Sequence, residues 1–152
     1  MNNTTKSVRG GFTLIELLIV IGIIAILAAV VIVAVNPSKQ FAQARNAQRE
    51  SNISTILNAI GQNIADNKGT FTCPGTSITA TANNIGTGGG LENLLSCLTP
   101  TYIAAGVPFD PDGGTAADSL YTVSVTAGIF EVCAPKHAEA AVPGSVAFCL
   151  KR

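Results

Sequence analysis

Tryptophan is absent from this chain of 152 residues, and histidine and methionine each occur once. Charged side chains make up only 12% of it, few for a freely soluble protein. No basic patch is present to meet a nucleic-acid backbone. His137, alone after Pro135-Lys136, reads as a solvated loop histidine with no neighbour to make it a base. The four cysteines include no Cys-x-x-Cys pair, so a tetrahedral zinc site lacks its ligand pattern. No serine lies in a nucleophile elbow. Thr87-Gly88-Gly89-Gly90 lacks the Lys-Ser/Thr of a phosphate-cradling loop and reads as a flexible loop. Catalysis finds no footing here, and the chain reads as a non-enzyme with no resident cofactor.

A different absence is more informative. Residues 12–35 form a run of 24 with no proline, one glycine (Gly22) and one charge (Glu16). As an α-helix it would extend roughly 36 Å, enough to cross a bilayer core of about 30 Å. Lys6 and Arg9, with no acid beside them, would keep the leader cytoplasmic while the rest crosses. A secretory signal has a shorter apolar core, with its small-residue cleavage site after that core. Here Gly10-Gly11 precede the run, so cutting between Gly11 and Phe12 would leave the helix on the mature protein as an anchor. Removing 11 of the 152 residues leaves 141, room for one helix and one modest domain. Loss of Lys6 and Arg9 leaves seven basic residues against nine acidic, a net charge of −2.

Glu16 calls for a physical reason. A carboxylate within a transmembrane helix costs on the order of 3 kcal/mol and usually has a partner. Cleavage before Phe12 would create a free α-amino group, charged at neutral pH, about one helical turn away. In a packed array of such helices, Glu16 of one copy pairing with the Phe12 amine of the next would neutralise both charges and set the axial register. The plainer reading is a glutamate tolerated at the headgroup level.

At these residues the chain resembles the type IV pilins and the type II secretion pseudopilins. Lys6 and Arg9 stand in the leader, Gly11 just before the cut, Phe12 first in the mature chain and Glu16 fifth. The resemblance implies that prepilin peptidase cuts at Gly11-Phe12 and that Phe12 is N-methylated. It implies a pilin fold, α+β, in which a long N-terminal helix packs on a small antiparallel sheet. One departure is visible, because many members carry a proline inside the apolar helix and here the first is Pro37. A pseudopilin-like or divergent subfamily therefore remains open.

The chain thus divides into a leader (1–11), a transmembrane and filament-core helix (12–35) and an exported head (36–152). Pro37 should bend or interrupt the helix axis. The helical period returns over 38–66, with Phe41, Ala44, Ile53, Ile56, Leu57, Ile60 and Ile64 on one stripe. Lys39, Arg45, Arg49, Glu50 and Asp66 fall largely on the other face. The two halves would make one helix of roughly 80 Å. Residues 67–118 read as a loop region, with a short strand near 77–82 and a short helix over 91–98. Residues 119–125 and 129–134 read as a hairpin around Thr126-Ala127-Gly128, with a third strand over 146–150.

Cys73, Cys97, Cys133 and Cys149 all follow the anchor and would meet an oxidising compartment, where three pairings are possible. The expected one is nearest-neighbour, Cys73–Cys97 with Cys133–Cys149. The turn around Asp110-Pro111-Asp112-Gly113, leading into a Tyr-containing strand, resembles a loop of major pseudopilins that often binds calcium. By that resemblance Asp110, Asp112 and Asp118 are candidate oxygen ligands, though their spacing is no EF-hand.

The leading expectation is a type IV pilus subunit stored in the cytoplasmic membrane as a prepilin. It would be cut after Gly11 and polymerised by pilus machinery into a homopolymeric surface filament. The alternatives are a periplasmic pseudopilin of a type II secretion system and a membrane-tethered minor pilin or adhesin.

Overall fold

The computed structural model describes residues 11–152, so Lys6, Arg9 and the rest of the expected leader before Gly11 lie outside the described residues. The chain falls into two compact units, one ending at Pro37 and the other running Ser38–Arg152.

The first unit holds α1 (Leu14–Ala34), a run of Leu, Ile, Val and Ala broken only by Glu16 and Gly22. Thr13 in extended geometry starts it, and Val35, also extended, ends it with its N–H bonded to the Val31 carbonyl. Every described side chain from 11 to 32 is exposed within this chain. A helix that is apolar all round has no polar face to give to water and must be covered by lipid or by other helices.

The second unit is built on α2 (Pro37–Asp66), opened by a proline whose missing N–H costs nothing in the first turn. Its buried positions repeat every three or four residues and change character along the axis. Ala42, Asn46, Arg49 and Asn52 come first, then Ile53, Ile56, Leu57, Ala59 and Ile60. The apolar half of this stripe lies in a core with Ile85, Leu94, Leu98, Tyr121, Val123, Phe130 and Val132. The expected stripe was therefore misplaced at its start. Phe41 is 67% exposed, Ala44 is exposed, and Arg49, expected outside, is fully buried.

The sheet contains β1 (Asn83–Asn84), β2 (Thr122–Thr126), β3 (Ile129–Ala134) and β4 (Phe148–Lys151), antiparallel in the order β1-β2-β3-β4. Thr126 pairs with Ile129, leaving Ala127-Gly128 as a two-residue turn with φ of 52° and 82°. Two consecutive positive φ values give the turn whose twist matches a hairpin, and glycine makes the second one cheap. Val123 faces Val132, and Phe130, Val132 and Ala134 alternate into the core.

Between α2 and the hairpin two expectations are corrected. No strand forms over 77–82, where Thr79 merely accepts the Val125 N–H. The pairing with Thr122 and Val123 is made instead by Asn83 and Asn84. The short helix is α3 (Leu95–Leu98) and starts four residues late, because the Asn93 side chain accepts the Leu95 N–H and turns the chain there. Cys73 is bonded to Cys97 on α3, and Cys133 to Cys149, its register partner across β3 and β4. Each link contributes roughly 2–4 kcal/mol by restricting the unfolded chain.

Candidate processing segment and the clamp of the head

Gly11 and Phe12 precede α1 and stand clear of it; Phe12 is 93% exposed and no atom lies within 4 Å of where a Gly11 Cβ would sit. Thr13 and Glu16 close a capping box. The Thr13 N–H and hydroxyl both donate to Glu16 Oε2 at 2.8 Å, and the Glu16 N–H donates to Thr13 Oγ1 at 3.2 Å. Within one chain, then, the carboxylate satisfies the Thr13 N–H and the Thr13 hydroxyl satisfies the Glu16 N–H, a reciprocal cap on otherwise unpaired groups of the helix start. This role was missed in the sequence although Thr-x-x-Glu before an apolar run signals it. Glu16 thus has a partner in the uncut chain, one residue beyond the amine that cleavage would create.

The head carries a second constellation that sequence reasoning did not find. The Arg49 guanidinium, fully buried, donates from Nε and Nη2 to the two oxygens of Asp110 at 2.7 and 3.0 Å. Its Nη1 donates to Asn46 Oδ1 at 2.8 Å and to Glu139 Oε1 at 2.6 Å. Arg45 holds the other side of Glu139 through Nε and Nη2 at 2.7 and 2.9 Å. Asn52 extends the network by donating to the Phe109 carbonyl and to the Tyr121 hydroxyl at 2.9 Å. Burial works against the Arg49 charge, but the bonds to Asp110 and Glu139 outweigh it and hold the guanidinium above its ordinary range. Hydrogen bonds from Arg45 and then Arg49 pull the Glu139 carboxyl down to about 2. Among the described residues the only buried side-chain nitrogen or oxygen without a partner is Thr99 Oγ1, so every member of the clamp is satisfied.

Gly114 lets the clamp form. A Cβ there would meet the Asp110 nitrogen at 2.5 Å and its carbonyl oxygen at 2.7 Å, so only glycine lets the turn return onto Asp110.

The three candidate calcium ligands are not brought together. Asp110 is occupied by Arg49 and by the Asp112 N–H. Asp118 accepts both bonds from the Asn84 amide and one from the Leu120 N–H, while Asp112 is exposed beside Lys136. In this structure the buried carboxylate is paired with a guanidinium instead. Among the described residues the group with metal-ligand spacing is Glu131, Cys133 and Cys149, and its two sulfurs are bonded to each other. His137 also departs from expectation. Its ring is 15% exposed and tilted against Phe148, with Nδ1 2.9 Å from the Val146 carbonyl and Nε2 3.1 Å from Glu50 Oε1.

No curated protein and no solved structure matches the chain, so the head is read from its own geometry. Among the described residues one helix, spanning Leu14–Ile32, is long and apolar enough to cross a membrane. Residues 6–32 match the family model of the prokaryotic N-terminal methylation motif, the signature of type IV pilins and pseudopilins.

Proposed function

We propose that this chain is the structural subunit of a type IV pilus. It is held in the cytoplasmic membrane by α1, with its head exported and its four cysteines oxidised there. Prepilin peptidase cuts between Gly11 and Phe12, and Phe12 is N-methylated. The subunit is then drawn by the pilus machinery into a homopolymer whose core is the packed α1 helices. The observation that carries this reading is the methylation motif on a helix whose every described side chain from 11 to 32 is left uncovered. A head-to-tail contact of this kind generates an open helical filament and no closed ring. The exposed Gly11-Phe12 bond suits a protease, and the new ammonium at Phe12 would compete with Thr13 for Glu16. The helix without internal proline favours a type II secretion pseudopilin as the second reading.

Two variants separate the cap from the charge. Glu16→Gln keeps a residue able to cap the helix but cannot neutralise an ammonium. Glu16→Gln subunits are expected to reach the membrane at the normal level yet fail to appear in filaments sheared from the cell. Glu16→Ala should lose both cap and assembly. Filaments of normal abundance from Glu16→Gln would refute the pairing. Mass spectrometry of the sheared material, reading a mature chain that begins at methylated Phe12 and carries no free thiol, checks processing and export together. Processed chain confined to the envelope would favour the pseudopilin, and uncut chain would sink both readings.

A further inference from the structure

His137 stands between two acceptors. The Val146 carbonyl lies 2.9 Å from Nδ1 and the Glu50 carboxylate 3.1 Å from Nε2. A carbonyl and a carboxylate can only accept, and a neutral imidazole has one N–H, so both contacts are hydrogen bonds only in the imidazolium. We propose that His137 is a proton-operated latch that holds the 138–147 loop against α2.

The latch sits where such a device has leverage. His137 ends the 3-10 turn Pro135–His137, and its carbonyl accepts from Asn46 on α2 at 3.0 Å. The loop it begins is pinned next by Glu139 to Arg45 and Arg49 and returns at Val146 to the ring itself. Between loop and helix lies an open groove of about 380 Å³ lined by Gln43, Ala47, Glu50, His137, Pro143 and Ser145. Neighbouring charges are already committed. Lys136 is held by the Asp112 carbonyl and carboxylate, and Glu139 by the two arginines. On β4 the ring meets uncharged Phe148. Glu50 is thus the carboxylate that faces the ring. When the proton leaves, one bond is lost, and a bare nitrogen lone pair is left against an acceptor. The loop then keeps its Glu139 and Asn46 ties to α2 and its exit into β4 at Phe148. The bridge through the ring from Val146 to Glu50 is broken at one of its two bonds. None of this depends on the assembly proposed above.

Hydrogen exchange of the full chain in detergent micelles tests it, comparing pH 5.5 with pH 8 after correction for intrinsic rates. Protection over 138–147 should fall about fivefold at the higher pH, the equilibrium ratio worth one net hydrogen bond. The β2–β3 hairpin should not change. Glu50→Gln, exposed and so safe for folding, supplies an amide that can donate to the bare nitrogen. In that variant protection should be equal at both values. A wild-type loop indifferent to pH, a change shared by the hairpin, or full pH dependence in Glu50→Gln would each overturn the latch.

Discussion

The two halves of the buried face of α2 solve the same problem with opposite chemistry. From Ile53 to Ile60 the helix is held by apolar area, non-directional and indifferent to pH. From Asn46 to Asn52 it is held by an arginine, two carboxylates and two amides, joined by directional bonds to specific partners. A fully buried isoleucine contributes about 1.5–3 kcal/mol. A buried ion pair contributes little net, because desolvation nearly cancels its attraction, but breaking it is expensive. The polar half therefore selects one arrangement of the 109–112 turn and the 137–139 segment on α2 more than it adds stability.

That contrast is broken most forcefully at Arg49. Arg49→Ala leaves Asp110 buried and unpaired and should cost about 3–5 kcal/mol in urea unfolding of the full chain in detergent, followed by circular dichroism. The double change Arg49→Met with Asp110→Leu removes both charges and should recover most of that loss, a coupling of at least about 2 kcal/mol. Additive losses would show that the pair is not one unit.

Ile56→Ala probes the other half. It should cost about 3 kcal/mol from lost transfer energy and the cavity left behind, with the same penalty at pH 7 and pH 3. No second substitution on the polar side should rescue it, and a pH-dependent penalty would mean that the halves are coupled.

Periodicity made one half legible and hid the other. Apolar residues at three- and four-residue spacing announced α2, and Ala127-Gly128 between β-rich runs announced the hairpin. A count of apolar positions cannot see a buried polar stripe, and it places Phe41 inward and Arg49 outward, the reverse of the structure. The partners that reverse this lie far along the chain, Asp110 by 61 residues and Glu139 by 90. Two asparagines, poor strand formers, likewise conceal β1, which pairs with Thr122 and Val123 while the Asn84 amide donates to Asp118. The capping box at Thr13 and Glu16 was readable but lay under the stronger membrane pattern.

The acid response sharpens the comparison further. Glu139 is held at about 2, below an unfolded value of 4.5, so its contribution is present above about 4.5 and is lost as pH falls through about 2. Glu139→Gln should lower stability by about 1.5–3 kcal/mol at pH 7, the worth of hydrogen bonds to a charged group. The gap between variant and wild type should shrink toward zero as thermal melts approach pH 2. A constant gap would place the effect in packing and remove Glu139 from the ionic half.

Tyr121 joins the halves and carries the smallest expected effect. Its ring is fully buried in the apolar core while its hydroxyl accepts from the Asn52 amide. Burial pushes the phenol above its usual range, so it stays neutral and serves as an acceptor. Tyr121→Phe keeps the ring and removes one bond, and Asn52 retains the Phe109 carbonyl as acceptor at 3.2 Å. The loss should be about 1 kcal/mol. Combined with Ile56→Ala it should add within about 0.5 kcal/mol if the apolar half stands alone. A larger departure, read from the same urea curves, would mean that the directional half positions the ring against which the isoleucines pack. The boundary between the two chemistries would then lie at Asn52 in sequence only.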